Sequence, residues 1–140
     1  MSPAVSRPCW RLSPVLVVVL ALTSAACARQ DARLEQHKDK FESLGETTAA
    51  ICEAWLGGDV SGTYTRTALE QTFMLVEQER SALAASPDTL LDPRGAALSQ
   101  ASERLSRLIA SLAHQVQGAN AAAVRQLLTD IPIRGSAGQP

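Results

Sequence analysis

Residues 92–118 read DPRGAALSQASERLSRLIASLAHQVQG, and this stretch decides the fold. Asp92 followed by Pro93 is a helix start. The carboxylate can accept from the first unpaired N–H groups, and proline at the first helical position loses no bond by lacking a donor. Leu98, Ala101, Leu105, Leu108 and Leu112 then recur in steps of three and four, widened by Ile109 and Val116. That period puts them on one side of a helix. Glu103 and Arg107 stand one turn apart and can pair. Gly118 closes the run. The spacing predicts a helix over 93–117.

Moving outward, the segment before it carries Leu69, Phe73, Val76 and Leu83 at helical spacing, with Met74 and Leu75 widening the stripe. Arg66 and Arg80 share that stripe and are expected to reach outward from its ends. This helix is read as 62–85. Its start falls within Ser61–Thr65, with Thr67 and Glu70 at capping-box spacing. Ser86-Pro87 stops it, because proline disfavours helical geometry in the preceding residue. Between the two helices, Asp88–Leu91 is expected to form a turn that tucks Leu90 or Leu91 over the core.

Earlier still, Leu34, Phe41 and Trp55 form one row and Leu44 and Ile51 another, completed by His37 and Thr48. These rows predict a helix over 32–56, with Asp31 as N-cap and Gly57-Gly58 as terminator. After Gly118, Asn120 opens a short helix over 120–129 with Val124, Leu127 and Leu128 inside. It stops before Pro132, and the tail 132–140 is expected to be disordered. No segment shows strand alternation. The expected fold is all-α: three long antiparallel helices in an up-down-up bundle, plus the short C-terminal helix, forming one domain over 32–131.

Ahead of that domain, Leu12–Cys27 reads LSPVLVVVLALTSAAC and follows a segment with Arg7, Arg11 and no acid. Positive, then apolar, then small is the order of an export signal. The apolar run is short for a membrane span, which takes roughly 20 residues. Its end, Thr23-Ser24-Ala25-Ala26-Cys27, resembles the lipobox of bacterial lipoprotein precursors. The resemblance covers only this N-terminal stretch, and Ser24 stands where lipoboxes most often carry leucine. It implies that residues 1–26 are a signal peptide, that Cys27 becomes an acylated first residue, and that 27–31 tether the domain to a membrane. Ala28 after the cysteine mildly favours the outer membrane on the same resemblance. A cut after Ala26 or Ala28 without acylation is the alternative, and would give a plain secreted protein.

Composition narrows what the domain does. Removing residues 1–26 takes away two arginines and no acids, so the net charge of −1 becomes −3. A mildly acidic chain offers no electrostatic footing for nucleic acid. Cys9 is expected to leave with the signal and Cys27 to be acylated or lost, which leaves Cys52 alone as a small buried hydrophobe beside a helix seam; a Cys27 retained without lipid would allow a Cys27–Cys52 bridge.

The chemistry-bearing motifs are missing. Cys52 is followed by Glu53-Ala54-Trp55, not by a haem-attachment sequence. No helix carries Glu-x-x-His or His-Glu-x-x-His, the ligand spacings of helical di-iron and zinc sites. The serines have no identifiable histidine partner, so no catalytic residue, cofactor or metal site is assigned. Of the two histidines, His114 falls off its stripe and is expected in solvent. His37 lies on one, which supports a partly buried histidine bonded to a neighbour, or alternatively a haem or metal ligand of a small bundle. Trp55 and Tyr64 flank Gly57-Gly58 at near-mirror positions. They are expected at one level, as a plug of the bundle end or as a contact for a partner protein. The composite expectation is a membrane-tethered, non-enzymatic module of the cell envelope that binds another protein or supports structure.

Overall fold

The computed structural model describes residues 14–86 and 91–131, with side chains from Arg29 onward. The described residues are helical with no strand. Four helices follow in order: α1 (Pro14–Gly57), α2 (Gly62–Ala84), α3 (Pro93–Gln117) and α4 (Ala121–Thr129). The chain divides into two units, 1–32 and 33–140. The first contributes the N-terminal part of α1. The second holds the hydrophobic core. Among the described residues, no helix is long and apolar enough to cross a membrane.

The start of α1 corrects the expected boundary at 32. Helix runs through 27–31, and Asp31 is not a cap. The physical reason lies in the sequence: from Val15 to Leu44 there is neither glycine nor proline, and Ala28–Gln36 is rich in strong helix formers, so nothing interrupts propagation. The other end is as expected. Gly58 takes a left-handed φ of 84°, its N–H reaches Trp55 O at 3.0 Å, and Asp59 N–H reaches Ala54 O at 2.9 Å. This pair of bonds satisfies carbonyls that the last turn would otherwise leave unpaired.

Each later helix opens on a polar cap. Ser61 Oγ accepts from Tyr64 N–H at 3.2 Å, so α2 is capped here and not by Thr67 and Glu70. Asp92 accepts from Arg94 N–H at 2.8 Å with Pro93 inside the first turn, as the dipeptide predicts. Asn120 Oδ1 accepts from Ala123 N–H at 3.1 Å.

The turn from α3 to α4 repeats the bonding of the α1 end, with one difference. Asn120 N–H reaches Gln115 O at 3.0 Å and Ala119 N–H reaches Val116 O at 3.1 Å. The left-handed position therefore falls on Ala119, at φ 52°, and not on the adjacent Gly118. An L-residue there carries a steric cost of about 1 kcal/mol that glycine escapes. Ala119→Gly is accordingly expected to raise stability by up to about 1 kcal/mol, read as a higher denaturant midpoint. A lower midpoint would show that the added freedom of the unfolded chain outweighs the relieved strain.

Phe41, Ala49 and Cys52 of α1, Leu69, Val76 and Leu83 of α2, and Leu105, Ile109 and Leu112 of α3 belong to one buried cluster. Val124 and Leu128 of α4 join it, together with Ile131 just beyond that helix. The predicted stripes on α1 and α3 therefore face this core. Two assignments fail: Met74 and Leu75 are 67% and 52% exposed. Of Leu90 and Leu91, either of which was expected to tuck over the core, Leu91 is 84% exposed. A helix buries only one arc, and Thr65 and Thr72 occupy the places on α2 that a wider apolar stripe would have filled. Leu90 and the tail 132–140 lie outside the described residues.

Buried hydroxyls turn inward on their own helices. Thr48 Oγ1 donates to Leu44 O at 2.8 Å, Thr65 Oγ1 to Ser61 O at 3.0 Å, and Thr72 Oγ1 to Ala68 O at 2.9 Å. Ser102 Oγ donates to Ser99 O at 2.8 Å. Each satisfies a polar group that would otherwise be costly to bury.

Candidate functional site

Polar contacts between helices lie along the rim of the core. On one side Glu79 of α2 faces α1. Its Oε1 is 2.5 Å from His37 Nδ1, and its Oε2 accepts from Lys40 Nζ at 3.1 Å. The side chains of His37 and Glu79 are 15% and 12% exposed, so the pair is shielded while Lys40 remains open to solvent. His37 thus sits where the α1 stripe meets α2, and its Nδ1 is taken up by a carboxylate of the neighbouring helix.

On the other side Glu77 faces α3. Ser106 Oγ donates to Glu77 Oε1 at 2.5 Å, and Arg80 Nη1 donates to the same oxygen at 2.7 Å. The Ser106 bond, followed by Arg80, holds the Glu77 carboxyl below its ordinary pKa. A serine next to a carboxylate invites comparison with a nucleophile and base. A carboxylate whose proton affinity is lowered is a weak base, and no histidine stands between the two. The geometry ties α2 to α3.

The sequence-selected residues separate. Trp55 is half-buried and packs on the core. A methyl group placed on Gly62 would lie 3.5 Å from Trp55 Nε1 and 3.9 Å from Val116 Cγ1, so the indole closes over the start of α2 near the end of α3. Tyr64 is 62% exposed and contributes its backbone N–H to the Ser61 cap. The two rings differ in burial, because Ser61 fixes the first turn of α2 so that Thr65, not Tyr64, turns inward; a joint aromatic plug is therefore not formed. Cys52 is fully buried, and burial together with the neighbouring Glu53 pushes its thiol pKa up to about 11. His114 is exposed in the last turn of α3. Cys27 lies on the α1 backbone, with its side chain outside the described residues.

Among the described residues, no three His, Cys, Asp or Glu side chains converge to hold a metal. Arg66 Nε is buried without a well-aligned hydrogen bond, though Glu70 Oε1 stands 3.5 Å away as an ion-pair partner. That distance suits a weak, partly screened attraction.

Sequence reasoning overlooked Glu77 and Glu79, because charged residues on a helix flank carry no periodic signal until the neighbour is known. It also placed Met74 and Leu75 inward when they form exposed surface. The described residues form an all-α protein in which Glu77 and Glu79 join neighbouring helices. Compared with known protein families, characterised proteins and solved structures, the chain matches none.

Proposed function

We propose that the chain is an exported, lipid-anchored envelope protein whose helical domain acts as a non-enzymatic protein-binding or structural module. One observation carries this reading: the ordered leader, with Arg7 and Arg11 ahead of an apolar run that ends in Ala25-Ala26-Cys27. Cys27 bears the lipid, and the anchored domain faces the periplasm or the exterior, with the outer membrane mildly favoured by the lipobox resemblance.

The domain is an up-down-up arrangement of α1, α2 and α3 with α4 alongside. Pairs of contacts support opposite directions for neighbours. His37 meets Glu79 while Trp55 lies by Gly62, and Glu77 meets Ser106 while Gly62 lies by Val116. A non-enzymatic role is supported by the use of each described acid–hydroxyl or acid–histidine pair as a tie between helices.

Expressed in a bacterial host and partitioned in cloud-point detergent, the full chain is expected in the detergent phase and Cys27→Ala in the aqueous phase. Recovery of both in the aqueous phase would refute the anchor. Retention of both in detergent would point to an uncleaved apolar leader in place of a lipid.

A further inference from the structure

Residues 28–32 separate Cys27 from Arg33, where the packed unit of the domain begins. Even fully extended, a chain of that length reaches no more than about 22 Å. From Arg33 to Gly57, α1 rises by about 37 Å. A lipid on Cys27 therefore holds the Arg33 end of the domain close to the bilayer, while the Gly57-Gly58 turn lies at the other end of the helix.

Other elements meet at the Arg33 end. Leu34, Glu35 and Lys38 of α1 line one shallow depression with Arg94 and Leu98 of α3. The first turns of α3 thus stand beside the start of the packed part of α1. Leu91 lies on the approach to them, one residue before the Asp92 cap, and is 84% exposed. In the described chain on either side of it, Ala84, Ala85, Pro93, Ala96 and Ala97 are exposed as well, and Arg94 is the exposed charge. Glu35 pairs with Lys38 at 3.5 Å and Asp92 with Arg94 at 2.8 Å, so both acids beside this depression are matched by a cation.

A single exposed leucine is ordinary on a protein surface. Leu91 differs in where it stands, at the end of the domain that the tether keeps within reach of the membrane. We propose that this end seats on the lipid surface, with Leu91 entering the acyl boundary and Arg33, Lys38 and Arg94 at the level of the headgroups. The inference rests on the acylation of Cys27 proposed above, and adds to it an orientation and a second contact.

The chemistry of the residues suits that boundary. An apolar side chain moved from water into the acyl region gains free energy in proportion to the area it buries. Lysine and arginine run their apolar stems along such a surface and leave their charged heads beside the phosphates. The lipid on Cys27 also makes the contact intramolecular in effect, so the modest gain from one leucine is enough to hold it. Seated in this way, the domain carries Tyr64, about 30 Å back along α2, away from the bilayer.

The lipidated full chain in phosphatidylcholine vesicles tests the seating. Leu91→Cys and, as the far-end comparison, Tyr64→Cys are labelled with the same polarity-sensitive fluorophore. Both positions are exposed, so neither change disturbs the core. Cys52 is buried and Cys27 acylated, and the parent chain taken through the same labelling supplies the blank. On vesicles the label at 91 is expected to emit at shorter wavelength than the label at 64. Nitroxide-bearing lipid should quench it at least about twofold more strongly, as insertion to the acyl boundary requires. Flotation of the parent chain with the vesicles is read alongside. A chain that fails to float refutes the anchor and the seating with it. A chain that floats while both labels remain in water overturns the seating and leaves the anchor standing. Equal, strong quenching at 91 and 64 would lay the domain on its side and overturn the seating as well.

Discussion

Phe41→Ala will cost this domain about 3–5 kcal/mol, the usual range for removing a large aromatic side chain from a closed core. Phe41 is completely buried and is among the largest side chains in that state. It belongs to one cluster with residues of α2, α3 and α4, so the void left by truncation has walls from several helices and cannot collapse by shifting one of them. Domains of this size hold roughly 5–15 kcal/mol in total, so the loss takes a fifth of it or more. Urea unfolding followed by circular dichroism measures the change, and a chain already unfolded without denaturant meets the expectation. Leu91→Ala is the comparison, since Leu91 is 84% exposed and its truncation should stay within about 0.5 kcal/mol. Equal costs for the two variants would mean that the core is not closed around Phe41.

The second large effect is kinetic and concerns Cys52. Burial holds its thiol pKa at about 11, against 9.0 for an ordinary cysteine. The thiolate is the reactive form, so a shift of this size alone slows alkylation about a hundredfold at pH 8, before any barrier to reagent entry is counted. Modification by iodoacetamide, followed by mass spectrometry of the peptide that contains Cys52, should therefore be very slow in the native chain. It should become fast in urea. The sign of the pH effect on stability follows from the same shift. The unfolded thiol ionises near 9.0 and the folded one only near 11, so the native state is progressively disfavoured as pH rises between them. Equal alkylation rates with and without urea would place Cys52 at the surface.

What could be read from the sequence was what is decided locally. Asp92-Pro93 and Asn120 opened their helices where read, because a cap is made by residues within one turn of each other. The same locality made Gly57-Gly58 a reliable end for α1. The leucines of α3 pointed to the core because they had no competing residue of similar size on another side. Where identity depended on a neighbour, reading failed. Met74 and Leu75 are apolar and adjoin the α2 stripe, yet two threonines take the inward places and bond their own backbone, which no apolar pattern announces. The left-handed Ala119 was hidden by the glycine before it. Trp55 and Tyr64 seemed a matched pair by distance from the turn, but the Ser61 cap rotates the first turn of α2 and leaves only Trp55 on the core.

For the candidate site, the histidines and Cys52 took their expected surroundings. His37 is bonded to a neighbour, His114 faces solvent, and Cys52 is enclosed. The partners of His37 and Ser106 were not legible, since Glu79 and Glu77 lie 42 and 29 residues away in the chain. Only the packing of helices brings them together.

The hydroxyls of Thr48, Thr65, Thr72 and Ser102 each close a bond within their own segment. None of the four asks anything of the helix opposite. Substitution of such a residue by alanine or valine removes donor and local bond together and strands no partner elsewhere in the interior. Descent can therefore rewrite these interior positions one at a time, without the paired changes that an interhelical bond would demand. Glu77 with Ser106, and Glu79 with His37 and Lys40, by contrast oblige two helices to change in step.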